Sequence, residues 1–216
     1  MNKINYIKDY KELYAPKSQP SIIEVPPMQF IMIEGHGNPN DIDGEYQQSV
    51  ELLYSLSYTI KMKFIDYTVA SAFEYSVPPL EGLWWLEDAK DMDFYSNKDR
   101  YCWISMIRQP DFVTMEHFEK AKQLLAHKKP QFDTSKAYLA TYTEGLCIQC
   151  MHLGPYDDEP ATLLKMEAYL EGVGRKNAIG TLSEEGRIRR HHEIYLSDPR
   201  KSKPENRKTI LRHPIQ

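Results

Sequence analysis

One acid stands among rings and apolar side chains near the C-terminus: Glu193, in the run Arg190-His-His-Glu-Ile-Tyr-Leu-Ser-Asp-Pro199. Alternation along a strand would put His191, Glu193 and Tyr195 on one side and His192, Ile194 and Leu196 on the other. A carboxylate held against apolar walls serves one of three ends: it binds a cation, activates a water, or pairs with an arginine, for which Arg189 and Arg212 are at hand. Cys147-Ile-Gln-Cys150 has the spacing of a redox motif or of half a zinc site. On a strand, however, that spacing sends the two thiols to opposite faces, and redox chemistry needs the motif at the start of a helix. With no second Cys-x-x-Cys and only distant histidines the pair makes a poor zinc set. No metal or organic cofactor is expected. His36 and His152 precede proline-containing turns, where a turn-stabilising hydrogen bond is the expected role.

The elements that must carry these residues follow from periodicity. Ile4, Ile7, Tyr10 and Tyr14 predict a short amphipathic helix, ended by Pro16 and Pro20. Ser21 to Val25 and Met28 to Glu34 read as a hairpin broken by Pro26-Pro27. After the loop Gly35 to Pro39, Tyr46, Val50, Leu53, Tyr54 and Ile60 mark one stripe of a longer helix. Strands are expected over Leu80 to Leu86 and Tyr101 to Gln109, with a polar loop between them. Thr114 caps a helix that reaches His127, and Lys128-Lys129-Pro130 closes it. The segments Ala137 to Tyr142 and Leu146 to His152 read as a second hairpin around Thr143-Glu144-Gly145. A helix beginning near Pro160 then leads to the strand Arg187 to Leu196 and a last one from Lys208 to Pro214.

Composition narrows the function classes. The chain has 216 residues, a net charge of −4 and a sequence pI near 6.0. This gives no overall basic field for nucleic acid or for an anionic membrane. The basic group Arg187, Arg189, Arg190, Lys201, Lys203, Arg207 and Lys208 reads as a solvated edge. With no apolar run long enough for a membrane helix, no signal-peptide core and three cysteines, the expectation is a cytoplasmic protein with reduced thiols. Fifteen tyrosines and three tryptophans suit either a ring-rich core or a cavity for flat organic ligands.

Set side by side, the halves share an order and three landmarks. His36-Gly-Asn-Pro39 matches His152-Leu-Gly-Pro155, Leu80-Glu-Gly-Leu matches His192-Glu-Ile-Tyr195, and Ile107-Arg-Gln-Pro110 matches Leu211-Arg-His-Pro214. Glu81 and Glu193 are thereby repeat mates: either both face one groove between two paired units, or Glu81 is a charge at a strand edge. The expected fold is α+β, two pseudo-symmetric units with a central ligand groove. Its parts are residues 1–20 as N-terminal helix and lead-in, 21–112 as first repeat, 113–133 as inter-repeat helix and linker, and 134–216 as second repeat.

Thr143 to Pro160, His191 to Pro199 and Lys208 to Ile215 together make the chain resemble the GyrI-like small-molecule-binding family, whose duplicated unit is the SHS2 module. The resemblance spans nearly everything after about residue 20. No DNA-binding helical domain of the kind found in drug-sensing regulators accompanies it. It implies an acid at Glu193 pointing into the central cleft. It also implies similarity to free-standing members that hydrolyse cyclopropane-bearing DNA alkylators through an aromatic cage. On that reading Glu193 and Tyr195 are the catalytic candidates, and Glu81, Trp85, Trp103, Tyr142 and Tyr156 line the groove, with Trp84 packing beneath a helix. The partner is a small molecule, with neither nucleic acid nor membrane. Sequestration of a cationic drug and a protein-interaction role like that of gyrase inhibitors are the rival readings.

Overall fold

In a computed structural model, residues 3–68, 72–87 and 96–216 are described. Two single-turn helices, α1 (Tyr6–Asp9) and α2 (Lys11–Tyr14), stand where one N-terminal helix was expected, because the backbone leaves the helical region at Tyr10. Eight strands follow: β1 (Ser21–Val25), β2 (Met28–His36), β3 (Leu80–Leu86), β4 (Tyr101–Gln109), β5 (Ala137–Tyr142), β6 (Gly145–Leu153), β7 (His191–Tyr195) and β8 (Lys208–Pro214). The helices α3 (Glu45–Lys63), α4 (Met115–Lys128) and α5 (Glu159–Gly172) separate them. The last strand before the C-terminal loop is thus shorter than the expected run from Arg187. Most of the polar loop expected between β3 and β4 lies outside the described residues.

All the strands form one antiparallel sheet in the order β1-β6-β8-β7-β3-β4-β2-β5. The order is the same for both halves when read from either end inward, with β3 and β7 meeting at the seam. Neither expected hairpin exists. β1 pairs with β6 of the second half, Ser21 opposite Gln149, while β5 pairs with β2 of the first half, Met28 opposite Tyr142. The two-residue connections at Pro26-Pro27 and Thr143-Glu144 reach at most about 11 Å, too short to cross the strands that lie between β1 and β2 or between β5 and β6, so the sheet curls until its two edges approach and each connection passes from one edge to the other. Each half lends its first strand to the other.

The helices α3, α4 and α5 cover one face. Leu52, Leu53, Leu56 and Ile60 of α3 and Phe118, Ala121 and Leu125 of α4 pack on Ile31, Ile33, Trp84, Trp103 and Ile107. Met166 and Leu170 of α5 pack on Ile148, Cys150 and Leu211. Each such fully buried side chain contributes roughly 1.5–3 kcal/mol, which outweighs the weak amphipathicity of these helices. The second face carries Tyr6, Leu13 and Tyr14 of α1 and α2 against Phe30, Met32, Leu83, Met106, Cys147, Ile194 and Ile210. As alternation requires, Cys147 and Cys150 lie on opposite faces, and both are free thiols. Among the described residues no helix is long and apolar enough to cross a membrane.

Candidate functional site

At the seam, Gly82 lies directly opposite Glu193 and Glu81 opposite Ile194. Opposed residues in an antiparallel ladder share a face, so the two acids point to opposite sides of the sheet. The expected shared groove for Glu81 and Glu193 is not formed. The histidine match that aligned the halves is displaced by one residue. Gly37 and Gly154, which end β2 and β6 with positive φ of 104° and 133°, are the better equivalents. A shift of one residue exchanges the faces of a strand.

Glu193 sits on the helix-covered face beneath the start of α3 and the start of α5, and is only 8% exposed. Its Oε2 accepts from the Tyr195 hydroxyl at 2.7 Å, and that oxygen accepts from Trp84 Nε1 at 2.9 Å. Its Oε1 lies 2.9 Å from His191 Nε2, and His191 Nδ1 lies 2.6 Å from His213 Nε2. Tyr156, on the turn before α5, meets the Tyr195 ring edge-on at 5.8 Å. Tyr46 of α3 packs on Trp84 and Trp103 with ring centroids 5.2 Å away in each case. Glu159, the first residue of α5, brings its carboxylate within 4.8 Å of the ligand atoms of His191 and Glu193.

The phenols are strongly held in their neutral form. Burial, then the charge of Glu193, raises Tyr195 well above the ordinary tyrosine value, and Tyr46 is raised for the same two reasons in the same order. Tyr156 is pushed up to about 12 by burial, against the pull of Arg207, whose guanidinium lies 5.2 Å over its ring. These groups are therefore hydrogen-bond donors and flat walls at neutral pH, with Glu193 as the acceptor they surround.

Tyr195 and Tyr156 lie beside Glu193, while Trp84 packs beneath α3 as expected and in addition reaches the Tyr195 hydroxyl with its indole N–H. Trp103 shares the face but is 0% exposed beneath Tyr46, where it belongs to the core. Trp85 and Tyr142 point to the second face. Trp85 was placed by the Glu81 side of β3 and follows Glu81 there, with the Arg190 guanidinium 4.3 Å over its ring. Tyr142 packs with the cluster under α1 and α2. The sequence reading missed Tyr46, Glu159 and His213. Tyr46 opens the apolar stripe of α3 and Glu159 precedes Pro160 in the first turn of α5, and helix starts beside a sheet seam are the signal that could have marked them.

Glu81 is instead part of a buried ion network on the second face. It accepts from the Tyr14 hydroxyl at 3.0 Å and meets His192 Nε2 at 3.0 Å. The other ring nitrogen of His192 meets Glu144 at 2.9 Å. Arg212 reaches Glu144, Gln149 and the carbonyl of Leu13. Arg212 is thus committed away from Glu193, which disposes of it as the arginine partner considered above. Glu144, in the turn expected at Thr143-Glu144-Gly145, is buried. His152 fulfils the turn role, its Nε2 2.9 Å from the Pro155 carbonyl.

Gly82 leaves the room that the site needs. A Cβ there would stand 2.6 Å from Trp84 Nε1 and 3.4 Å from the Tyr195 hydroxyl. Gly82→Ala is expected to wedge the indole off Tyr195, at a cost of about 1–3 kcal/mol. Chemical denaturation measures the loss, and unchanged stability would show that Trp84 can move without consequence.

Residues 18–216 match the model of the GyrI-like small molecule binding domain. A crystal structure of an uncharacterized conserved protein from Listeria innocua is 45% identical, with 99% of this chain and 100% of that one covered and a TM-score of 0.86. A crystal structure described as a hydrolase from Listeria innocua is 44% identical over 99% and 100% of the two chains, with a TM-score of 0.83. The EcmrR C-terminal domain, 11% identical with 92% of this chain and 97% of that one covered and a TM-score of 0.54, shares the fold alone. No curated protein matches the chain in sequence. The match over nearly its whole length, on an α+β fold with one eight-stranded antiparallel sheet, places this chain in the GyrI-like small molecule binding domain family.

Proposed function

We propose that this protein binds flat, largely apolar organic molecules against Tyr46, Trp84, Tyr156 and Tyr195 and hydrolyses those that carry a strained cyclopropane, as in DNA-alkylating xenobiotics. The observation that carries this reading is the placement of Glu193, an acceptor at both oxygens, inside a ring-walled site at the sheet seam. The 44% identity to a protein described as a hydrolase supports the catalytic half of it.

In the reaction, Glu193 takes a proton from a water whose oxygen bonds to a cyclopropane carbon. The strained carbon–carbon bond breaks, and its electron pair moves into the conjugated ring system. That charge is then neutralised by the proton from Glu193, which restores the carboxylate. Ring strain has already made the carbon electrophilic, so orienting one water supplies most of what catalysis requires. We assign the neutral phenols of Tyr46 and Tyr156 as the donors for the developing negative charge, since the Tyr195 hydroxyl is already given to Glu193. The exposed Lys98–Asp157 pair (2.6 Å) joins the two halves beside Tyr156, and such a pair is worth about 0–1 kcal/mol.

The test is incubation of the purified protein with a cyclopropane-bearing aromatic alkylator, with the ring-opened hydrate followed by mass spectrometry. Product in large molar excess over protein is expected. Tight binding of cationic aromatic dyes without product would reduce the function to sequestration, with Glu193 as counter-ion. If neither occurs, the site reading fails and the protein-interaction role gains.

A further inference from the structure

The cluster Glu159, His191 and Glu193 has two possible uses, since a carboxylate–imidazole–carboxylate set can hold a divalent cation or handle hydrogen bonds. Residues behind it decide the matter. The Ile179 backbone N–H donates to Asn177 Oδ1 at 2.9 Å, which fixes the orientation of that amide. Asn177 Nδ2 then donates to Glu167 Oε1 at 2.6 Å and faces His213 Nδ1 at 3.2 Å. The flipped amide would set its oxygen against the Glu167 oxygen and its NH2 against the Ile179 N–H, so it is excluded.

His213 Nδ1 is thus an acceptor. Burial, with His191 and His192 nearby, holds His213 well below the ordinary imidazole value, so it is neutral and carries a single N–H, on Nε2. That hydrogen fills the 2.6 Å gap to His191 Nδ1. A neutral His191 must then carry its own hydrogen on Nε2, where it meets Glu193 Oε1. From the other side, the donor-only indole of Trp84 gives to Tyr195, leaving the phenol hydrogen for Glu193 Oε2.

We infer that His213 and Asn177 are positioning residues that lock His191 in its Nε2–H tautomer, so that both oxygens of Glu193 are held by donors and its remaining acceptor directions are reserved for water or ligand. The inference rests on the reading of Glu193 as the reacting acid. It also assigns the cluster away from metal binding. A divalent cation at this position needs the lone pair of His191 Nε2, and the lock places a hydrogen there.

Long-range proton–nitrogen NMR of 15N-labelled protein near pH 7 reads the tautomers directly, with the two rings assigned from His191→Gln and His213→Gln. Both are expected as neutral Nε2–H forms in the wild type, with Zn2+ leaving the His191 signals unmoved. A neutral Nδ1–H or doubly protonated His191, or loss of its Nε2–H on adding Zn2+, would overturn the lock. Asn177→Leu is expected to release the fixed tautomer of His213 and a persistent single tautomer there would remove Asn177 from the device.

The functional consequence is read on alkylator turnover. His213→Leu is expected to lower kcat about tenfold, the equivalent of one lost hydrogen bond of roughly 1.4 kcal/mol, with KM unchanged. His213→Gln, whose amide can donate to His191, should recover most of that loss. Wild-type kcat in His213→Leu, with the tautomers as expected, refutes the positioning role. Absence of turnover in the wild type counts against the hydrolytic reading, and the NMR result then decides the lock independently.

Discussion

His192→Leu is expected to cost about 3–5 kcal/mol of folding free energy, the penalty for removing one partner of a buried ionic group. The change leaves Glu81 and Glu144 facing an apolar side chain, at positions that are 0% and 6% exposed. In a chain of this length that corresponds to a fall of about 10 °C in Tm. The effect depends on pH. Burial pushes the His192 imidazole down, but Glu144 and then Glu81 outweigh it and raise it from 6.5 to about 9. A group raised in the folded state binds its proton more tightly there. The stabilisation is full below pH 6.5, declines through the window from 6.5 to about 9, and is gone above it. Glu144 works from the acid side. Burial raises it, yet His192 and Arg212 hold it below its ordinary value, so its contribution is lost as pH falls below the carboxylate range. Urea unfolding of wild type and variant at pH 6, 8 and 10 would show the two curves converging with rising pH. Wild-type stability that stays flat over this range, or a variant equal to wild type at pH 6, would sink the account.

Glu193→Gln is expected to lower kcat for the alkylator by about 10²–10⁴, the usual worth of a positioned general base. The amide has the same shape but cannot take a proton from water. It also presents an NH2 to one of two groups, His191 or Tyr195, that both donate to this position. Affinity for a neutral alkylator should change little, because the rings and not the acid hold it, whereas affinity for a cationic dye should fall. Steady-state kinetics with both ligand types separates these effects. Turnover within threefold of wild type would remove Glu193 from the chemistry and leave the walls as a binding site only.

Much of the element layout was legible in the sequence. The boundaries of β3, β4, β5 and β8 follow from local alternation and from the Pro and Gly residues around them. Which strands pair was not legible, because the turn signals at Pro26-Pro27 and Thr143-Glu144-Gly145 are the same whether a chain reverses or crosses. The candidate site was legible on β7, where His191, Glu193 and Tyr195 alternate within one run. It failed on β3. Matching acid to acid across the repeat displaced the register by one residue, so Glu81, and Trp85 with it, was assigned to the side of Glu193 although alternation along β3 itself was read correctly. Partners drawn from other elements, such as Tyr46, Glu159 and His213, come together only through long-range packing that no single stretch encodes.

The exchange of β1 and β5 between the halves has a mechanical consequence. Two lobes joined only along β3 and β7 could hinge at that seam, and a hinged sheet would open and close the site like a book. Here each half gives its first strand to the other half's edge, five residue pairs at β1–β6 and six at β2–β5, and the short links to those strands tie the halves together at the edges of the curled sheet as well as at the seam. The sheet is thereby a stiff floor. For the proposed site, motion that admits a ligand is then expected above it, at the first turns of α3 and α5, while the floor keeps Glu193, His191 and Tyr195 in fixed register.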